Sequence, residues 1–524
     1  MNRDTMLQKL QSHEGIWDVL VIGGGATGLG IAVDAAARGY KTLLLEQHDF
    51  AKGTSSRSTK LVHGGVRYLQ QGDISLVLEA LKERGLMIKN APHLVSNQAF
   101  VIPNYSWWDG PFYQLGLKIY DFMSGDLGIG SSKRLSIEET VRHIPTIDQK
   151  ELAGGVVYFD GQFDDARMAI SLAKTAAQFD GVLLNYMKVE KIIKNEEGIV
   201  QGVIALDLET HKKHHIQSKV VINATGVFAD AVIKMDDPSA KEMIQPSQGT
   251  HIVLDPSFLP DKYAIMVPHT KDGRVLFAVP WLNKVIVGTT DTIVEKPLLE
   301  PHFQLDEVEF ILETASQYLT KKPTKKDILS IFSGLRPLAK PEGNKQTTKE
   351  ISRHHKVMIS TSGLITVIGG KWTTYRKMAE DTVDQAMLIG QLKASPCTTH
   401  NLPIFGYDES LNLTEDPLAV YGIEKQALLD LEDEIPVYGE LISESLPLKA
   451  SQVIWAVRHE MARTLEDMLA RRVRGLFLDV NESLRIAPQV AQIMASELNE
   501  SPDWIINQLT EFKAIARHYQ LIEH

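Results

Sequence analysis

The residues able to do chemistry gather in a few short stretches. KLVHGGVRYLQ (60–70) sets His63, Arg67 and Tyr68 around a glycine pair inside an otherwise apolar run. Arg336 lies in SGLRPL, between a glycine turn and a proline that fix its backbone. Arg353 lies in ISRHHKV, Lys371 in GGKWTTYRKM and His251 in GTHIV. Guanidinium forks bind two oxygens of an oxyanion at once and stay charged at any working pH. Histidine is the side chain whose ordinary pKa lets it take a proton near neutrality. Side chains of these types can anchor an anionic substrate and take a proton from it, while an arginine on such a loop is more often a surface residue in a weak ion pair.

Such a site needs a scaffold, and WDVLVIGGGATGLGIAVDAAARGYKTLLLEQ (17–47) supplies one end. An apolar strand, Val19 to Ile22, runs into Gly23-x-Gly25-x-x-Gly28; a small-residue helix ends at Gly39, and a second strand, Thr42 to Leu45, closes on Glu46. Gly23 makes the tight turn, Gly25 lets backbone approach a pyrophosphate, Gly28 packs helix on sheet, and Glu46 meets ribose hydroxyls. The helix start carries the partial positive charge, with Ala26 and Thr27 on it. An acid at position 46 disfavours a 2′-phosphate, which leaves NAD or FAD. Beyond Gln47, the hydroxyls of Thr54, Ser55, Ser56, Ser58 and Thr59 are either donors to a second part of the cofactor or a solvated serine loop.

Eight motifs then occur in order: GGGATGLG (23–30), GTSSRSTKLVHGGVRYL (53–69), DGQFDDARM (160–168), NATGVFAD (223–230), GTHIV (249–253), VGTTDT (287–292), SGLRPL (333–338) and GGKWTTYRKMAE (369–380). Together they resemble the FAD-dependent, respiratory glycerol-3-phosphate dehydrogenases, a branch of the glycine-oxidase-like flavoenzymes. The resemblance spans roughly residues 17–390, and RTLEDMLARRVRGLFLD (463–479) is similar to that family's helical cap. It implies FAD as cofactor, sn-glycerol 3-phosphate as substrate, hydride transfer from C2 to flavin N5, dihydroxyacetone phosphate as product and a quinone as acceptor. It assigns Arg67, Tyr68, Arg336, Arg353 and Lys371 to the substrate, and His63, His251, Arg336 and Lys371 to catalysis. Of the two histidines, His63 is closer in sequence to the flavin contacts and is preferred as base. Lys371 adds a cation at a helix start, where a reduced flavin gains negative charge; contact with the substrate hydroxyl is its alternative role. Further cofactor contacts are expected at Gly64, Ala224 and Gly226, and at Gly369, Gly370, Trp372 and Thr373. No metal is expected.

The fold expected is α/β, α+β overall: a Rossmann-like FAD-binding part (about 15–85, 150–245 and 350–392), an antiparallel-sheet substrate part (about 90–149 and 246–348), and a helical C-terminal domain over 400–524. Residues 1–395 form the oxidoreductase core. GGVVYF (154–159) reads as a strand of the cofactor part, and VIWAVRHEMARTLEDMLARRVRGL (453–476) as helix without proline. Net charge is −11, a poor match for nucleic acid. The single cysteine, Cys397, excludes an intrachain disulfide and fits a reducing compartment. With no apolar run near the ~20 residues that span a bilayer, the expectation is a cytoplasmic protein, either soluble or peripheral on the inner face of the cell membrane. Two stretches offer membrane contact, the aromatic 104–123 and the arginine-bearing 458–474, where ordinary packing and intramolecular ion pairs compete at even odds. A homodimer is compatible with all of this.

Rival functions remain. The first is a glycerol-3-phosphate oxidase using oxygen; Arg336 and Lys371 lie only 35 residues apart, leaving little room for the extra segment of such oxidases. Next comes an amine or amino-acid oxidase, which needs no phosphate-binding cluster. The last, a flavin-binding protein without turnover, needs no His63, Arg67, Arg336 and Lys371 together.

Overall fold

The computed structural model describes residues 1–65, 73–105, 109–268, 270, 274–340, 354–411 and 416–521. The apolar runs at Trp17–Ile22 and Thr42–Leu45 are buried along almost their whole length, as strands covered on both faces must be. They form the centre of a sheet ordered 356–359, 365–368, 213–223, 17–22, 42–45, 182–184, parallel from 365–368 through to 182–184. The Lys213–Asn223 strand leaves this layer at its start and pairs antiparallel with Val200–Asp207. Helix Ala26–Ala37 lies on the sheet and meets helix Tyr375–Ile389 so closely that a Cβ on Gly30 would stand 2.8 Å from Tyr375 Cδ2.

A second sheet holds ten strands, antiparallel except where Ala264–Val267 runs beside Val95–Asn104. Its longest pairing joins Ile244–Leu254 to Ile328–Ala339. The Gly154–Phe163 strand belongs here, paired with Val95–Asn104, and not with the cofactor sheet where its sequence position put it. A short run of apolar residues cannot show which sheet it joins; the partner is decided by register. Leu61–Val62 pairs with Gly161 and Gln162, so the segment leading to His63 is tied to this second sheet.

The C-terminal helices enclose a third core, which also packs on Val253, Trp281, Ile286 and Phe332 of the second sheet. The expected unbroken helix over 453–476 is interrupted. Ala450–Glu460 ends at a left-handed Met461 (φ 57°), Asp467–Arg472 is π-helical, and Arg474 is left-handed again (φ 65°). The breaks accompany arginines drawn inward: Arg471, Arg472 and Arg474 are buried and ion-paired, so this stretch is no lipid-facing helix. Arg471 and Arg472 both bond Asp49, which follows the Thr42–Leu45 strand. Glu460 takes a two-pronged bond from Arg167 at 2.7 and 2.8 Å.

Burial alone raises the Glu460 carboxyl, but Arg167 and Lys174 outweigh it and bring its pKa down to about 2. A carboxylate depressed on folding contributes stability that is complete above its unfolded value of 4.5 and lost as pH falls towards 2. Replacing Glu460 with Gln should therefore lower the thermal midpoint at neutral pH, an effect of roughly 3 kcal/mol before strain. The gap to the parent should close between pH 4.5 and 2 in midpoints followed by circular dichroism.

Candidate active site

The cofactor end is built by glycines whose missing Cβ is structural. Gly23 has φ +109°, and a Cβ there would stand 2.7 Å from Ala224 O. On Gly28 it would fall 1.9 Å from Gly23 O, so the helix can cross the strand only at glycine. Ser55 Oγ accepts from Ala26 N at 2.9 Å, tying the serine loop to the helix start. Glu46 accepts from Gly24 N (2.6 Å) and His48 N (2.8 Å), and burial still raises its pKa against these bonds. One lone pair on each oxygen is left for a ligand. Around this turn lies a cavity of about 310 Å³, lined by Gly23, Gly25, Ala26, Thr27, Glu46, Gln47, Thr54, Ser55, Ala224 and Gly226. This donor set, with an acid facing the cavity beside a helix N-terminus, fits a dinucleotide.

A second cavity, about 300 Å³, adjoins the first, and the two share Thr54, Pro337 and the run Gly369–Trp372. Thr59, His63, His251, Arg336, Lys371 and Thr373 line it, so residues far apart in the chain share one wall. Gly369 (φ 77°) and Gly370 (φ 78°) make the turn; a Cβ on Gly370 would clash with Met378 Sδ at 2.3 Å. Lys371 is the N-cap of the short turn Trp372–Thr374, which leads into helix Tyr375–Ile389, and Trp372 Nε1 donates to Ser55 O at 2.8 Å. The two halves of the cofactor site are thus hydrogen-bonded to each other.

Arg336 projects from its strand beside Gly249, whose bare α-carbon admits the guanidinium: a Cβ there would lie 2.5 Å from Nη2. Its fork is aimed by Asp291 Oδ1 (3.3 Å), Thr289 Oγ1 (3.2 Å) and Thr290 O (3.1 Å). His251 is buried, stacked on Phe332 with ring centroids 4.7 Å apart, and its Nε2 meets Thr59 Oγ1 at 2.9 Å. Burial, then Lys60 and Arg336, push its pKa well below the ordinary value, so it is neutral. His63 is half-buried on the same cavity wall.

Some expected contacts fall elsewhere. Ser56 is buried outside both cavities, its carbonyl accepting from Lys60 Nζ and Arg474 Nη2 at 2.8 Å each, because the loop turns inward there. Gly64 stands behind the cavity wall, pressed on Leu81 and Tyr120, while Gly65 lines it. Arg67, Tyr68 and Arg353 lie outside the described residues. Sequence reasoning missed Arg274 and Asp291, both on the second cavity; VGTTDT, which holds Asp291, carried no role of its own. It also missed Asp165, which receives Ser58 N, Ser58 Oγ, Lys60 Nζ and Arg474 Nη2. Burial raises that carboxyl, and Lys60 and Arg474 more than reverse the effect, leaving it charged. Gly25→Ala should press a methyl onto Ser55 Oγ, 3.0 Å away, and displace it from Ala26 N. The purified variant should retain less flavin, read as the ratio of 450 nm to 280 nm absorbance, about half or less of the parent's.

Comparison with known proteins identifies the family. The family model for FAD dependent oxidoreductases matches residues 18–376, and that for the C-terminal domain of alpha-glycerophosphate oxidase matches residues 365–504. The chain is 39% identical to a mitochondrial glycerol-3-phosphate dehydrogenase of Homo sapiens, over 95% of this chain and 72% of that protein. With the mitochondrial glycerol-3-phosphate dehydrogenase of Schizosaccharomyces pombe it shares 36%, over 95% and 86%. The crystal structure of a Bacillus halodurans glycerol-3-phosphate dehydrogenase complexed with FAD superposes with a TM-score of 0.80 at 30% identity, covering 100% of this chain and 99% of that one. Glycine oxidase from Geobacillus kaustophilus, at 16% identity and a TM-score of 0.54, shares the fold of the core. The protein is an enzyme whose cofactor is FAD, and the chain belongs to the FAD-dependent glycerol-3-phosphate dehydrogenases.

Proposed function

We propose that this chain oxidises sn-glycerol 3-phosphate to dihydroxyacetone phosphate and delivers the electron pair to a quinone. The observation that carries the reading is the convergence of Arg336, His63 and Lys371 on one cavity that opens into the cofactor cavity at Gly369–Trp372. FAD, when bound, supplies the acceptor for the hydride leaving C2. Arg336 binds the substrate phosphate with a fork already oriented by Thr289, Thr290 and Asp291, so little side-chain freedom is lost on binding. His63 takes the C2 hydroxyl proton as the carbonyl forms, which balances the departing hydride. Lys371 places a cation beside the first N–H groups of the Trp372–Thr374 turn, a region of positive potential at the meeting point of the two cavities. Phe100, Tyr158, Met266 and Phe277 give the cavity an apolar wall that limits water around the reacting carbon.

Quinone use calls for contact with a bilayer, and among the described residues no helix is long and apolar enough to cross one. Helix Asp109–Ser124 supports a lateral contact instead. It exposes Leu115 (67%), Ile119 (45%) and Phe122 (87%) at helical spacing, and the neighbouring helix Ile74–Asn90 exposes Ile74 and Leu78. We assign this face to the membrane, in keeping with the aromatic stretch singled out in the sequence, and place it on the inner face of the cell membrane.

Anaerobic addition of glycerol 3-phosphate to the yellow protein should bleach the flavin band, and a soluble quinone should restore it faster than oxygen does. Bleaching by amino acids alone would sink the substrate reading. Arg336→Ala should raise KM roughly 10- to 100-fold with FAD content unchanged, as loss of a charged bidentate contact implies; an unaltered KM removes its assigned role. Replacing Leu115 and Phe122 with Ser should abolish co-sedimentation with phospholipid vesicles while leaving bleaching by substrate intact. Undiminished vesicle binding would rule this face out.

A further inference from the structure

The segment that presents His63 is held from behind by a buried polar chain. Gly64 N donates to Tyr120 Oη at 2.8 Å, Tyr120 Oη donates to Asp160 Oδ1 at 2.8 Å, and Arg84 Nη1 donates to the same carboxylate oxygen at 2.7 Å. Arg84 Nη2 reaches Ser124 Oγ at 3.1 Å, and Ser124 Oγ donates to Tyr120 O, one helical turn back. Arg84, Tyr120 and Asp160 are 1%, 1% and 2% exposed. They come from helix Ile74–Asn90, helix Asp109–Ser124 and strand Gly154–Phe163.

Chemistry fixes the direction of this chain. Burial raises the Asp160 carboxyl and Arg84, 2.7 Å away, opposes it; with the carboxylate accepting, the Tyr120 hydrogen points to Asp160 and an oxygen lone pair is left facing Gly64 N–H. Sterics fix the distance, since a Cβ on Gly64 would stand 2.4 Å from Leu81 Cδ2 and 2.6 Å from Tyr120 Oη. Position 64 can move neither towards the helices nor away without stranding a buried N–H. The residue before it is His63, whose side chain faces the substrate cavity.

We propose that Tyr120, oriented by Asp160 and Arg84, is a positioning residue that sets where His63 stands relative to the substrate hydroxyl. The inference rests on the reading of His63 as proton acceptor and adds the device that places it. Proton transfer requires heavy atoms within hydrogen-bond reach, so a shift of a fraction of an ångström at His63 slows the chemical step and leaves phosphate binding at Arg336 untouched.

The test compares Tyr120→Phe, His63→Gln and the double variant, each as the full chain loaded with FAD and assayed by anaerobic single-turnover bleaching with glycerol 3-phosphate. Tyr120→Phe should lower the saturating rate about tenfold or more while the half-saturating concentration stays within about twofold and flavin content is unchanged. In the His63→Gln background the same change should alter the rate by less than about twofold, because nothing remains to be positioned. A Tyr120→Phe rate close to the parent's, or equal fractional losses in both backgrounds, overturns the positioning role. A His63→Gln rate equal to the parent's overturns the base assignment, and this inference with it. Should Tyr120→Phe fail to hold FAD, Leu81→Val thins the same backstop without touching a polar group and is judged by the same criteria.

Discussion

The carboxylate of Asp165 is the contact on which the active site depends. It lies at the first turn of a helix that packs on the cofactor sheet, yet its four donors come from elsewhere: Ser58 and Lys60 from the hydroxyl-rich loop, Arg474 from the C-terminal helices. Lys60 and Arg474 converge on Ser56 O as well, so the loop is gripped through both side chain and backbone. From that anchored loop, Ser55 reaches the cofactor helix and Trp372, and Thr59 reaches His251. Two buried basic groups share this carboxylate, and removing it would strip Lys60 of that partner and leave Arg474 with the longer contact to Asp164 at 3.6 Å, a costly change for interior charge.

The same economy of charge recurs around Asp49, Glu460 and Glu466. The chain is acidic overall, and many of its arginines are spent inside, fastening the C-terminal helices to the cofactor domain. The C-terminal helices thereby act as a clamp on the loop after the second cofactor strand. That explains why a run of arginines that could lie on anionic lipid does not: each fork finds a carboxylate at hydrogen-bond distance within the protein. The membrane face proposed here is instead made by apolar side chains on two other helices.

The dinucleotide unit was legible in the sequence because its rules are local. Glycine spacing, an acid after the second strand and apolar runs of strand length all act within about thirty residues. The meeting of His63, His251, Arg336 and Lys371 was legible only through resemblance, since no spacing shows that residues so far apart share a wall. What escaped was register and pairing. Gly154–Phe163 has the composition of a strand in either sheet, and only its hydrogen bonds to Val95–Asn104 place it in the second. Asp160 and Asp165 stood in a motif without a role of their own, and Arg474 in a stretch read equally as lipid contact or ion pairing, because burial of a charge is settled by its partners and those lie up to 309 positions away.

The three-way grip on Asp165 also imposes an order on biosynthesis. The cofactor turn and its first strands leave the ribosome early, but the loop that completes their cradle receives one of its donors only when residue 474 has emerged. Domains generally fold as units, N-terminal first. Until residue 474 has emerged Asp165 lacks that donor, which ties firm closure of the cofactor cradle to the docking of the C-terminal helices. A truncation within the C-terminal helices is therefore felt first as lost colour.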